Sequence, residues 1–159
     1  MFRIGDRVVY PMHGAGVIEA VEEREILGEK KQYYIMRLPI GDMKVMIPVD
    51  GVESVGLRQV ITAEEMDQVL DVLRAERSKM STNWNRRYRA NTEKLKTGDI
   101  FEVAEVVRNL TLRDREKGLS TGERKMLDNA RQILVSELVL ARDMGASQAG
   151  ELLDEAIFG

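Results

Sequence analysis

Between residues 82 and 89 stand the only tryptophan, one of the four tyrosines and three arginines, in the order Thr82-Asn83-Trp84-Asn85-Arg86-Arg87-Tyr88-Arg89. Arginines with interleaved aromatics are the side chains that grip phosphate and stack on, or wedge between, bases. At helical spacing Trp84, Tyr88, Asn91 and Leu95 form one stripe, and Arg86, Arg89 and Glu93 another. Two uses of the tryptophan are open. Either it joins Tyr88 and Leu95 in a core, or it projects from the first turn of a helix, whose N-terminus itself attracts phosphate. Hiding about 150–250 Å² of tryptophan is worth roughly 4–6 kcal/mol, and unstacking one base step costs about a few kcal/mol. The two nearly cancel. Such a wedge favours DNA that is already distorted or melted, and it needs something else to hold it there.

Other residues capable of chemistry carry less. The chain has no cysteine and one histidine, which excludes disulfides, a thiolate nucleophile and Cys-ligated zinc. His13 lies in a turn beside Pro11 and Gly14, a setting for a backbone contact rather than acid–base work. Gly14-Ala15-Gly16 lacks the third glycine and the strand-turn-helix setting of a phosphate loop, and reads as a tight turn between strands. The neighbouring carboxylates Glu22/Glu23 and Glu64/Glu65 read as solvated surface. No base, nucleophile and orienting partner come together. No enzyme, metal or cofactor is expected.

A chain of 159 residues, 43% hydrophobic and 32% charged, suffices for one ordinary domain or two small ones with a buried core. There is no long apolar run and no apolar signal core at the N-terminus, so a cytoplasmic location is expected. The net charge of -3 is unevenly spread. Residues 74–96 carry eight basic side chains against two acidic ones, whereas residues 61–73 carry four acids and no base. A nucleic-acid contact on such a chain is small and local; the competing reading is a solvated basic helix face.

The elements that would position these residues fall into two halves. All three prolines and seven of the thirteen glycines precede residue 57. Between them lie short β-rich runs at Arg7–Tyr10, Gly16–Ile26, Gln32–Leu38, Met43–Pro48 and Val52–Val60, with breaks at Pro11–Gly14, Leu27–Lys30 and Pro39–Asp42. Short strands with tight turns predict a small antiparallel barrel. Alternation puts Val45 and Ile47 on one face and Lys44 and Met46 on the other, and groups Glu22, Arg24 and Ile26. From Thr62 onward proline vanishes and the apolar period becomes helical. Capping boxes at Thr62-Ala63-Glu64-Glu65 and Ser120-Thr121-Gly122-Glu123, an N-cap within Ser81–Asn83 and another at Asp99 predict helices over about 62–75, 83–95, 99–117 and 120–141. A short helix over roughly 148–158 makes five. The fold class expected is α+β, a small barrel over 1–61 followed by a helical domain over 62–159.

These residues together closely resemble the CarD/CdnL family of bacterial RNA polymerase-binding transcription regulators. The resemblance is carried by Phe2 through Gly16, Ile47-Pro48, Thr82 through Tyr88, Val103 through Arg108, Gly118-Leu119-Ser120 through Glu123, and Ala130 through Leu138. The Asn-Trp-x-Arg-Arg-Tyr string is its most specific part. It implies a Tudor-like (SH3-like) N-terminal domain, a type also found in transcription-repair coupling factor, that docks on the RNA polymerase β subunit. It further implies a helical domain that meets promoter DNA at the upstream edge of the bubble, without reading sequence and often at ribosomal RNA promoters. There the tryptophan, matching Trp84, wedges into the minor groove and hinders bubble collapse.

Carried over position by position, the resemblance implies polymerase contact at Arg24, Ile26 and Met46, where Met46 replaces an arginine of some relatives. It implies DNA contact at Trp84, Arg86, Arg89 and, more distantly, Arg124. Arg87 is left between DNA contact and an ion pair within the domain. A monomer, associated with the nucleoid through polymerase, is expected. Two alternatives stay open: a polymerase-docked adaptor whose helical domain binds another protein, and a KOW-like barrel acting on ribosomal RNA.

Overall fold

The computed structural model describes residues 1–39 and 42–159. Five strands, β1 (Arg7–Tyr10), β2 (Gly14–Ile26), β3 (Glu29–Leu38), β4 (Met43–Pro48) and β5 (Arg58–Gln59), pair antiparallel in the order β4-β3-β2-β1-β5. This is a meander whose last strand returns to the first, the strand order of a Tudor-like (SH3-like) barrel. No β4–β5 ladder closes it among the described residues. Its inner side is Val8, Ile18, Tyr34, Met36, Leu38, Ile47 and Leu57. As alternation predicts, Ile47 is buried while Lys44 and Met46 are exposed.

Three strand expectations are corrected. Residues Val52–Val60 are not one strand. A 3₁₀ turn over Val49–Gly51 leads into a one-turn helix, α1 (Val52–Val55), and only Arg58–Gln59 pairs with β1. Val49, Val52 and Val55 recur every third residue, so a helical turn lays all three on the barrel core. Gly56, left-handed at φ 74°, ends it. The β2–β3 hairpin is also longer than expected: Leu27 and Gly28, at φ 53° and 81°, form a two-residue turn that lets Ile26 face Glu29. Likewise β2 begins at Gly14, paired with Tyr10. The break expected at Pro39–Asp42 includes Ile40 and Gly41, which lie outside the described residues.

The helices α2 (Ala63–Arg74), α3 (Trp84–Lys96), α4 (Ile100–Lys117), α5 (Thr121–Arg142) and α6 (Ala146–Phe158) follow. At Thr62 the capping box is reciprocal, with the Glu65 N–H on Thr62 Oγ1 and the Thr62 N–H on Glu65 Oε1, both at 3.1 Å. Asn83 and Asp99 cap α3 and α4. The predicted apolar stripes of α2 and α4 are buried. Helix α5 is buried on more than one side, from Ile133 to Leu138, because other helices flank one face and β2 packs against another.

The seam between sheet and helices is closely fitted. The Ala15 N–H donates to Ser136 Oγ of α5 at 2.8 Å. A Cβ on Gly98, itself at φ 71°, would lie 2.8 Å from Pro11 Cγ, so a side chain there would both strain the backbone and force the proline ring to shift. Val9 and Ala15 pack on Leu140, and Met12 reaches the helical core. His13 sits in this turn with Nδ1 3.1 Å from the Pro11 carbonyl and its ring on Tyr10.

Candidate nucleic-acid interface

Helix α3 starts at Trp84 because Asn83 Oδ1 accepts the Arg86 N–H at 3.0 Å. That cap sets the direction in which the first-turn side chains leave. The indole lies nearly parallel to the Tyr88 ring, with centroids 4.9 Å apart and an interplanar angle of 17°. Its Nε1–H donates to Ser120 Oγ at 2.9 Å. Beneath the two rings is Gly122, where a Cβ would sit 3.5 Å from Trp84 and 3.7 Å from Tyr88. Trp84 keeps 41% of its surface exposed. It is neither a core side chain nor a freely projecting one: the N-termini of α3 and α5 meet at it, and it rests on the second helix by one edge.

Arg87 settles into the ion-pair alternative. It is buried, and its Nε and Nη2 donate to the Glu123 carboxylate at 2.7 and 3.1 Å. That hydrogen bond, against the opposing effect of burial, holds the Glu123 carboxyl below its ordinary range; the charges of Arg87 and Arg113 and the Ser120 hydroxyl act in the same direction. Glu123 therefore does not complete the capping box expected at Ser120. Ser120 Oγ accepts the Glu123 N–H at 3.2 Å, but the carboxylate turns to Arg87 rather than back to the Ser120 N–H. Arg87 Nη1 also donates to the carbonyl of Ser81 at 3.1 Å, fixing the segment that enters α3. One step earlier, Arg108 donates to Val72 O and Ser78 Oγ, and Asn109 Oδ1 accepts the Ser78 N–H. The charged joint between α2 and α3 is thus pinned from α4.

Arg86 and Arg89 lie on the outer side of α3, and neither pairs with an acid among the described residues. Arg89 lines a shallow groove with Trp84, Asn85, Tyr88, Thr92, Glu93 and Lys96, where Glu93 pairs with Lys96 at 3.7 Å. Arg124, on the first turns of α5, is committed to Asp114 at 2.7 Å. Residue types and spacing point to Trp84, Arg86 and Arg89; they do not reveal Ser120 or Gly122, whose link to α3 spans 36 residues of chain. The capping-box signature at Ser120 is the only local signal there.

A second surface lies on the outer face of the sheet. Register places Ala20, Ile35 and Met46 in one row and Glu22, Tyr33 and Pro48 in the next. Arg24, opposite Lys31, and Ile26, opposite Glu29, continue the same face toward the hairpin tip. Arg24, Ile26 and Met46 therefore share a face, as alternation along single strands suggests for the first two. They do not form one cluster, since Met46 is about 13 Å along the strand direction from Arg24. Arg24 pairs with Glu22 at 2.6 Å, and Ile26 and Met46 are 46% and 40% exposed.

Comparison with known proteins matches residues 2–61 to the CarD-like/TRCF RID domain and residues 68–154 to the CarD C-terminal domain. The Bacillus subtilis (strain 168) protein named "Putative transcription factor YdeB" is 46% identical over 148 residues, which is 93% of this chain and 97% of that protein. The chain belongs to the CarD family of transcription factors. Among solved structures, the solution NMR structure of the 72-residue N-terminal domain of Myxococcus xanthus CarD is 34% identical, covering 37% of this chain and 79% of that one. Its TM-score is 0.33, too low to bear on the fold.

In this CarD-family chain each surface lies within one matched segment, with Arg24, Ile26 and Met46 in the first and Trp84, Arg86, Arg89 and Arg124 in the second. Among the described residues no helix is long and apolar enough to cross a membrane.

Proposed function

We propose that residues 1–61 dock on the RNA polymerase β subunit through the sheet face bearing Arg24, Ile26 and Met46. Residues 62–159 then stabilise the promoter open complex by sequence-independent contact with DNA at the upstream edge of the bubble. Trp84 is the minor-groove wedge, and Arg86 and Arg89 contact phosphate or sugar. The observation that carries this reading is the indole itself, held at two helix N-termini with 41% of its surface outward and unpaired arginines beside it.

The exposed part decides the energetics. Of a tryptophan's roughly 150–250 Å², only about 60–100 Å² remains to be hidden, worth about 2 kcal/mol. That is less than unstacking a base step, which costs about a few kcal/mol. The wedge cannot open DNA alone; it can hinder closure of DNA that polymerase has already melted. Tethering supplies the local concentration that so weak a contact requires. Met46 brings a flexible apolar contact where some relatives of the family have a charged one.

The test is open-complex lifetime on a ribosomal RNA promoter with the cognate polymerase, with and without the protein and its Trp84→Ala variant. Longer lifetime with the wild type, lost in a folded Trp84→Ala protein, is the expected result. No change with a polymerase-bound wild type would turn the helical half into an adaptor for another protein.

A further inference from the structure

We infer that Ser120 is the positioning residue for the Trp84 indole: its hydroxyl selects which edge of the ring faces outward. This inference rests on the proposed DNA contact of Trp84. The stack on Tyr88 confines the plane of the indole, and Gly122 meets its benzo edge at Cζ2 and Cη2. The χ2 torsion of an aromatic side chain is broad and roughly two-fold, so the ring has a second well, in which that edge would turn away from Gly122. Each van der Waals contact there is worth far less than one directional hydrogen bond. The Nε1–H···Oγ contact with Ser120, 2.9 Å long, is such a bond.

The hydroxyl is itself prepared for the task. It donates toward Glu123 Oε1 at 3.3 Å and accepts the Glu123 N–H at 3.2 Å, which leaves one lone pair for the indole. Glu123 is in turn held at 2.7 Å by Arg87, which stands three residues beyond Trp84 on α3. Trp84, Ser120, Glu123 and Arg87 thus form a closed circuit between the two helix starts. Donors and acceptors run in one sense from the indole to the carboxylate, an arrangement in which each bond polarises the next. The exposed edge is then the one pointing away from Ser120, preset before DNA arrives. Presetting matters because ordering a ring on binding would subtract from an already weak contact.

Because Trp84 is the only tryptophan, its fluorescence reports this geometry without a label. Ser120→Gly removes the hydroxyl while keeping a competent N-cap, and Ser120→Thr restores it. In the free, full-length protein Ser120→Gly should lower tryptophan anisotropy and weaken the near-ultraviolet dichroism of the indole, with the far-ultraviolet spectrum unchanged. On polymerase it should cut the open-complex stabilisation about fivefold, the population equivalent of one ordinary net hydrogen bond. Ser120→Thr should recover both. Trp84→Phe breaks the same bond from the other side, so Ser120→Gly should cost nothing further in a Trp84→Phe background.

An indole signal unmoved by Ser120→Gly would overturn the inference. So would a loosened indole with wild-type lifetime, or full additivity of Ser120→Gly with Trp84→Phe. Failure of the underlying DNA contact looks different, because Trp84→Ala would then leave lifetime unchanged.

Discussion

Arg58 and Glu137 face each other across the seam between sheet and helices, joined by two parallel hydrogen bonds of 2.8 and 2.7 Å. Arg58 belongs to the last strand and Glu137 to the C-terminal part of α5. Arg58 Nε also donates to the carbonyl of Gly98 at the end of α3, and Glu137 accepts the N–H of Ile61 where the chain passes into the helices. One ion pair therefore ties together the barrel, the crossing segment and two helices. For the proposed docking of one half on polymerase and the other on DNA, a fixed spacing would make tethering effective, since a rigid link keeps the second surface near its target.

Glu137→Gln is expected to destabilise the protein by about 3 kcal/mol, the low end for breaking a buried pair, because Arg58 retains some access to water. The amide can still accept the Ile61 N–H, so the loss falls mainly on the interface. Urea unfolding should move from one transition toward two as the halves uncouple. An unchanged midpoint with a single transition would show that the seam is held by Pro11, Ala15 and Leu140 without the ion pair.

Trp84→Ala should cost the fold about 1–2 kcal/mol, between the values for a loose surface residue and a core one. The variant gives up a stacked aromatic pair and one hydrogen bond, but a large part of the ring is solvent-exposed already. Equilibrium denaturation measures this directly. A loss of about 3–5 kcal/mol would place Trp84 in the core after all.

What the chain discloses without coordinates depends on how local each interaction is. The Thr62/Glu65 box, the Asn83 and Asp99 caps and the apolar stripes of α2 and α4 are legible because they are made within a few residues. Val52–Val55 is not: valines favour strands, and their spacing of three shows a helical turn only once the barrel core is there to receive them. Glu123 looks like the closing residue of a capping box because its real partner, Arg87, lies 36 residues away. For the same reason Trp84 is recognisable as a candidate from its neighbours, while the serine that holds it is not.

Arg86→Ala and Arg89→Ala should each lower the salt dependence of promoter-complex formation by about one counterion, with little effect on sequence preference. Arg124→Ala should do less, because its guanidinium is bonded to Asp114 and must leave that partner to reach a phosphate. Titrations of polymerase and promoter DNA at several salt concentrations, with each variant, give the slopes. Equal slopes for all three would remove the distinction between the two helices. A slope attributable to ten or more phosphates would exceed what this small patch can supply.

The Arg87–Glu123 pair makes the stability of the α3–α5 end depend on acid. The folded state holds the Glu123 carboxyl below the 4.5 of the free group, chiefly through the Arg87 hydrogen bond, whereas Arg87 stays charged throughout this range. A depressed carboxyl pKa means the unfolded chain binds the proton more readily. The stabilisation is therefore complete above about pH 4.5 and is lost as pH falls through the lower folded value. Glu123→Gln should cost about 3–5 kcal/mol at neutral pH, since it leaves Arg87 buried without a counter-charge. The gap between wild type and variant should hold steady from pH 7 to about 4.5 and narrow below it. Denaturant midpoints across that range measure the gap, and one that stayed constant down to pH 3 would show that Arg87 does not hold the proton off Glu123. Because Ser120 is bonded to the same carboxylate, the indole fluorescence of the folded wild type should stay unchanged through about pH 4.5 and change only at the lower pH where native Glu123 takes up its proton.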